Sequence, residues 1–196
     1  YKELGFLPEA IRNYLLRLGW GSGDSEILTT TKAIDLFDLP GIGKAAARFD
    51  MKKLKSINSH YMRETPWNDL LERILPLIEL KINRTISTIE LGYLVKGFNS
   101  VRLRSTTLVE LANNLEFYVN PNISDTVIIT PEMIWLRAHA VNALKLCNTN
   151  WTHDNFEPII REYCIANNIE FKDLVQTTRK LITGSNISPS MFEIFD

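Results

Sequence analysis

Between Lys44 and Arg63 the chain carries six cations, Lys44, Arg48, Lys52, Lys53, Lys55 and Arg63, against one acid, Asp50. The segment is therefore +5 in a chain whose net charge is −1. Clustered lysine and arginine of this kind can hold the phosphates of a polyanion. Read at helical spacing from Asp50, the residues Met51, Leu54, Ile57 and Tyr61 share a core-facing side. Lys52, Lys55, Ser59 and Arg63 fall on the opposite side, flanked by Asn58 and His60. A solvated charged face carries the same pattern. A second island holds Lys96, Arg102 and Arg104, with no acid between Glu90 and Glu110. A third holds Lys172, Arg179 and Lys180, diluted by Asp173. Three islands on a near-neutral chain suit a long, shaped polyanion such as RNA with stems and loops, although long cations also simply cover helix surfaces.

Other chemistries find little support. The stretch LPGIGKAAARFD (39–50) is not a nucleotide P-loop, because Lys44 is followed by Ala45 and Gly41 stands too close to Gly43. It does fit a helix-hairpin-helix, in which backbone N–H groups grip a DNA phosphate, and a DNA-binding helical protein is the alternative reading. Asp50 resembles a fresh N-cap, however, and leaves the second hairpin helix only a turn or two. His60, His139 and His153 are isolated, and no zinc-like spacing joins them to Cys147 or Cys164. No Gly-x-Ser-x-Gly elbow or paired-carboxylate constellation appears. No catalytic residue and no metal site are expected.

The elements that must position these cations read as helices. Pro8 opens one that carries Ile11, Tyr14, Leu15 and Leu18 and closes at Gly19. Thr30 or Thr31 can cap a short helix bearing Ile34 and Phe37, and Asp50 caps the cationic one. Pro66 opens a helix through Leu80, with Pro76 expected to kink or break it. Further helices are expected near 84–97, 106–116, 131–147, 152–167, 170–182 and 189–195. The one β-like run is Val127–Ile129, and Asn120-Pro121-Asn122 marks a loop. The fold class is all-α, with compositional breaks near 65 and near 130. The 196 residues, 45% hydrophobic and 23% charged, can bury real cores. Two cysteines 17 residues apart suggest a reducing cytosol, and no membrane span or signal-peptide pattern appears. The start at Tyr1, without an initiator methionine, predicts a piece of a longer protein.

Two stretches carry a family resemblance. GFLPEAIRNYLLRLGW (5–20) and FDMKKLKSINSHYMR (49–63) closely resemble the segments that follow the catalytic signature loop of bacterial glutamyl-tRNA synthetases. That family's F-D-x-x-K-L-x-x-x-N-x-x-Y-x-R is matched in register by Phe49, Asp50, Lys53, Leu54, Asn58, Tyr61 and Arg63. RLRSTTLVE (102–110) resembles its R-x-x-T-L-x-E segment. RKLITGSNISPSMFEIF (179–195) resembles its late R-x-x-x-T-G…P-x-x-F-E segment, although Thr177-Thr178 stand where the family commonly has Pro-Leu. Neither the H-x-G-H-like nor the K-M-S-K-like signature of the catalytic half occurs.

The resemblance implies a stem-contact helical domain over 1–65 and two anticodon-binding bundles over 66–129 and 130–196, the last stopping before the family's final helix. It implies a tRNA, glutamate-specific, as partner, with neither membrane nor DNA, and a cytoplasmic monomer. The whole ligase would attach glutamate to tRNA with ATP and magnesium, whereas this part needs no cofactor and is inactive alone. Lys44, Arg48, Lys52, Lys53, Lys55 and Arg63 would meet stem phosphates, with Asn58 available to a 2′-hydroxyl. Arg104 matches the arginine the family places on the third anticodon base, with Arg102 beside it. Arg161 and Arg179 match arginines near the other anticodon bases, and Ser188 and Met191 match positions flanking the late proline.

Overall fold

Prolines and short polar side chains set where helices begin in this chain. A computed structural model describes residues 1–195 except 22, 24, 45, 122–129, 148–152, 185–187 and 189. The described residues form α1 (Pro8–Gly19), α2 (Thr30–Leu36), α3 (Met51–Glu64), α4 (Trp67–Ile82), α5 (Thr88–Arg104), α6 (Leu108–Leu115), a 3-10 turn (Glu116–Tyr118), α7 (Pro131–Leu146), α8 (His153–Ala166), α9 (Phe171–Thr183) and α10 (Met191–Phe195). Among them there is no strand, only an isolated antiparallel bridge between Trp20 and Ile42. The all-α expectation holds. Val127–Ile129 and Asn122 lie outside the described residues.

Pro8 and Pro131 occupy first-turn positions, and Thr130 accepts from Met133 N at 3.2 Å. The cap of α2 is Thr29, which accepts from Lys32 N, rather than Thr30 or Thr31. A capping box starts α5: Ser87 Oγ accepts from Glu90 N, and the Glu90 carboxylate accepts from Ser87 N at 2.9 Å. That helix runs past the expected end near 97 to Arg104, because Gly97 is buried inside it and is no terminator. Nor does Pro76 break α4. Leu70, Leu71, Ile74 and Ile78 are buried on both sides of it, and their packing outweighs the hydrogen bond that Pro76 cannot make.

The chain forms two compact units, each assembled from separated segments. The first comprises Tyr1–Arg84 with Arg102–Asn113, the second Thr85–Val101 with Asn114–Asp196. Positions 65 and 130 both lie inside a unit. In the first, α1 packs on α3, and Leu7, Ala10, Leu54 and Met62 have no exposed surface. Buried Asn13 ties the α1–α2 connection down, donating to Glu26 O at 2.8 Å and accepting from Leu28 N at 2.6 Å. The Tyr61 hydroxyl lies 2.8 Å from Leu28 O and 2.9 Å from Asn13 Oδ1, its single proton shared between them. The core of the second unit joins Leu136, Ala140 and Ala143 of α7, Phe156, Ile160 and Cys164 of α8, Leu174 of α9, and Met191 and Phe192 of α10.

Candidate nucleic-acid interface

Asp50 fixes the register of the cationic helix. Its carboxylate accepts from Lys52 N at 2.8 Å and from Lys53 N at 3.3 Å, while its own N–H donates to the Tyr14 hydroxyl. Phe49 stands edge-on to the Tyr14 ring, 5.1 Å between centroids, and so joins the start of α3 to α1. With this end held, Lys52 and Arg63 lie exposed along the outer side, about 16 Å apart at 1.5 Å per residue. Lys44 and Arg48 are exposed on the approach. Among the described residues these four form no ion pair.

The other two lysines have partners within the protein. Lys53 pairs with Glu26 and lowers the pKa of that carboxyl. Lys55 pairs with Glu110 at 2.9 Å. Asn58 is not available to a ribose hydroxyl. It has no exposed surface, accepts from Leu7 N at 2.8 Å and donates to Thr106 O at 2.6 Å. A polar side chain this deep must be hydrogen-bonded, and Asn58 answers backbone groups of two other segments. The core side of α3 is accordingly wider than a four-residue stripe, with Asn58 and Met62 buried beside Leu54 and Ile57 and with Met51 exposed.

These contacts fasten the turn that follows Arg104. Thr107 Oγ1 accepts from Glu110 N at 3.1 Å, and the Glu110 carboxylate accepts from Thr106 N at 2.8 Å, closing the start of α6. Burial alone would raise the Glu110 pKa, but the hydrogen bonds from Thr106 and Lys55 hold it below its ordinary value. Leu108 N donates to Gly5 O at 2.8 Å. Gly5 has φ +78°, and a Cβ there would lie 2.5 Å from Val109 N, so only glycine permits this approach. Arg102 is half-buried and donates to Thr65 O at 3.3 Å, which binds the end of α5 to the end of α3. Arg104 stays exposed at the last position of α5, next to the buried Ser105. Fastening of this turn was missed in the sequence, although the Thr-x-x-Glu spacing at 107–110 signalled the cap.

The glycine stretch is occupied with the protein itself. Gly41 N donates to Asp38 Oδ1 at 3.0 Å and Gly43 N to Gly19 O at 2.9 Å, while Gly41 O accepts from Gly21 N at 3.1 Å. Trp20 Nε1 donates to Asp38 O at 3.0 Å, and a Cβ on Gly41 would lie 2.4 Å from that nitrogen. The glycines let the loop close over Trp20. Their amides already have acceptors, and α3 begins only at Met51, so the hairpin that would grip DNA does not form.

In the second unit, Arg161 is exposed on α8. It donates from Nε to Glu157 at 2.7 Å, and its guanidinium stands 3.9 Å from the centre of the Phe171 ring. Arg179 lies half-buried on α9. That helix is continuous across Thr177 and Thr178, and the buried Thr178 hydroxyl is satisfied by donating to Leu174 O at 2.7 Å. Ser188 is buried, and Met191, 1% exposed, is a core residue packed with Phe156 and Phe192. Neither presents surface to a base, because the apolar spacing of α10 turns Met191 inward. Among the described residues no three His, Cys, Asp or Glu side chains come together in a way that could hold a metal ion.

The described residues form a helical scaffold with cations on its outer faces. The chain belongs to the anticodon binding domain family, whose family model matches residues 69–196. Over its whole length it is 35% identical to a glutamate–tRNA ligase 2 of Paramagnetospirillum magneticum and 35% identical to one of Rhodospirillum rubrum, covering 42% and 43% of those proteins. Over 99% of its length it is 36% identical to a glutamate–tRNA ligase 2 of Rickettsia typhi. The chain thus spans less than half the length of the curated relatives it matches, and it matches their C-terminal part. The solved structure of a glutamate tRNA ligase from Elizabethkingia meningosepticum shares the fold, with a TM-score of 0.74 at 21% identity over 99% of this chain and 39% of that one.

Proposed function

We propose that the chain is the tRNA-gripping part of a glutamate–tRNA ligase and that its partner is glutamate tRNA. On this reading residues 1–65 meet the stem, and residues 66–196 meet the anticodon. Lys44, Arg48, Lys52 and Arg63 neutralise stem phosphates, with Lys53 and Lys55 contributing only where they leave Glu26 and Glu110. Arg104 reads the third anticodon base, and Arg161 and Arg179 lie toward the others. ATP-dependent attachment of glutamate, with magnesium, belongs to the remainder of the ligase. The chain alone catalyses nothing and acts as a cytoplasmic monomer. The observation that carries the reading is the exposed Arg104 on a turn clipped by Asn58, Gly5 and the Lys55–Glu110 pair. An arginine offers only donors. Cytosine presents two acceptors, N3 and O2, where guanine presents donors, so Arg104 favours tRNA with C at the third position by about 1–3 kcal/mol.

Binding of the chain to glutamate tRNA and to duplex DNA at two salt concentrations tests the reading. The expected result is a preference for tRNA with a steep salt dependence, and equal or better binding of DNA overturns it. Arg104→Gln should remove the preference for C over G at the third base while leaving the fold intact.

A further inference from the structure

Arg104 is exposed, yet the chain on either side of it is fixed. Two residues before it, Arg102 is tied to Thr65 O, and the residue after it, Ser105, is buried. Thr106 then has all three of its polar groups engaged. Its carbonyl accepts from Asn58 Nδ2 at 2.6 Å, and its N–H and its hydroxyl both donate to Glu110 Oε2, the N–H at 2.8 Å. The other oxygen of that carboxylate, Oε1, accepts from Lys55 Nζ at 2.9 Å. Glu110 is thus a bridge. One oxygen holds the residue two places after Arg104, and the other holds α3.

Two physical consequences follow from the bridge. A contact to a base edge discriminates only when its donors are held in place, because a loosely carried arginine can swing aside from a base that opposes it. The backbone beneath Arg104 is held from α3 through Glu110. A lysine matched by a carboxylate also adds little to the pull on a phosphate, so Lys52 and Lys55, three positions apart, have different work. The Lys55–Glu110 pair is 43% and 37% exposed, and an ion pair that open contributes little to stability. Its effect is therefore to be read in specificity rather than in folding. We propose that Glu110 is a positioning residue for third-base reading and that Lys55 serves Glu110 rather than a tRNA phosphate. The preference for C over G then depends on an ion pair that touches neither base nor phosphate. The proposal rests on the tRNA and Arg104 reading above.

The test is equilibrium binding, at several salt concentrations, of the chain and its variants to glutamate tRNA and to the same transcript with G at the third anticodon base. Glu110→Gln keeps one acceptor for Thr106 but turns its amide donors toward Lys55, and Lys55→Met removes the cation. Each should weaken binding of the C transcript about 2- to 30-fold, the range for residues that act on a site without touching its ligand, and leave binding of the G transcript unchanged. Lys55→Arg restores a cation for Glu110 and should restore the preference. The salt slope should stay the same for Lys55→Met and become shallower by about one for Lys52→Met. A shallower slope for Lys55→Met with the preference intact overturns the proposal, because it marks a phosphate contact. An equal loss for both transcripts, or no loss for either, overturns it as well. In these cases the tRNA reading stands so long as Arg104→Gln abolishes the preference. An Arg104→Gln variant that still prefers C brings down both. Should Glu110→Gln loosen α6, Lys55→Met and Lys55→Arg decide the matter, since their side chain is half-exposed on α3.

Discussion

Replacing Asn58 with alanine separates a structural strut from an RNA contact. In the folded chain Asn58 satisfies the buried N–H of Leu7 and the carbonyl of Thr106, at 2.8 and 2.6 Å. Alanine leaves both without their partner. An orphaned buried donor costs about 1–3 kcal/mol, and the half-buried carbonyl adds about 1, so the loss should be about 2–4 kcal/mol. For a chain of this size that lowers the thermal midpoint by about 4–16 °C. Urea unfolding followed by circular dichroism reads the loss as an earlier midpoint at unchanged slope. Exchange of the Leu7 amide should quicken in the native state. Asn58→Asp should be worse still at neutral pH, because a carboxylate keeps the acceptor for Leu7 but faces the Thr106 carbonyl with no donor. It should recover partly on acidification, when protonation restores one. If Asn58→Ala leaves unfolding unchanged while tRNA affinity drops, Asn58 faces RNA and the strut argument fails.

Gly5→Ala should destabilise by at least about 2 kcal/mol, since it combines a left-handed backbone with a Cβ 2.5 Å from Val109 N; denaturant titration measures it. Glu110 has its pKa held down in the fold, so its contribution is complete above the ordinary value of 4.5 and is lost as pH falls through the folded value. Glu110→Gln should therefore flatten the acid limb of the stability profile below the ordinary value of 4.5. Cys147 and Cys164 are buried and burial raises both pKa values, so a thiol reagent at neutral pH should modify neither until denaturant is added.

Helix class and helix starts were legible from local signals. Pro8, Asp50, Pro131 and the three-four spacing of Leu54 and Ile57 act within one or two turns of chain, and the helices begin within a few residues of where those signals stand. The ends were less legible. Gly97 resembles a stop in sequence, yet its missing side chain serves the Tyr118 ring 21 positions later. The cations of α3 could be seen in sequence but not sorted. Lys52 and Lys55 look alike there, and only the fold brings Glu110 to one of them across 55 positions.

Asn58 shows the same limit from the opposite side. Its helical phase placed it at the border of the polar face, whereas its partners stand 51 and 48 positions away and draw it into the core. The sequence by itself determined that this chain is helical, that its positive charge is concentrated in three islands, and which family its motifs resemble. Those properties depend on residue type and short spacing. The tertiary structure alone decided which cations of the 44–63 stretch are paired with acids and which are not, which polar residues hold the turn beneath Arg104, and that the glycine loop closes on Trp20. Each of those outcomes depends on a hydrogen bond or ion pair between residues remote in the chain, and no local pattern records such a partner.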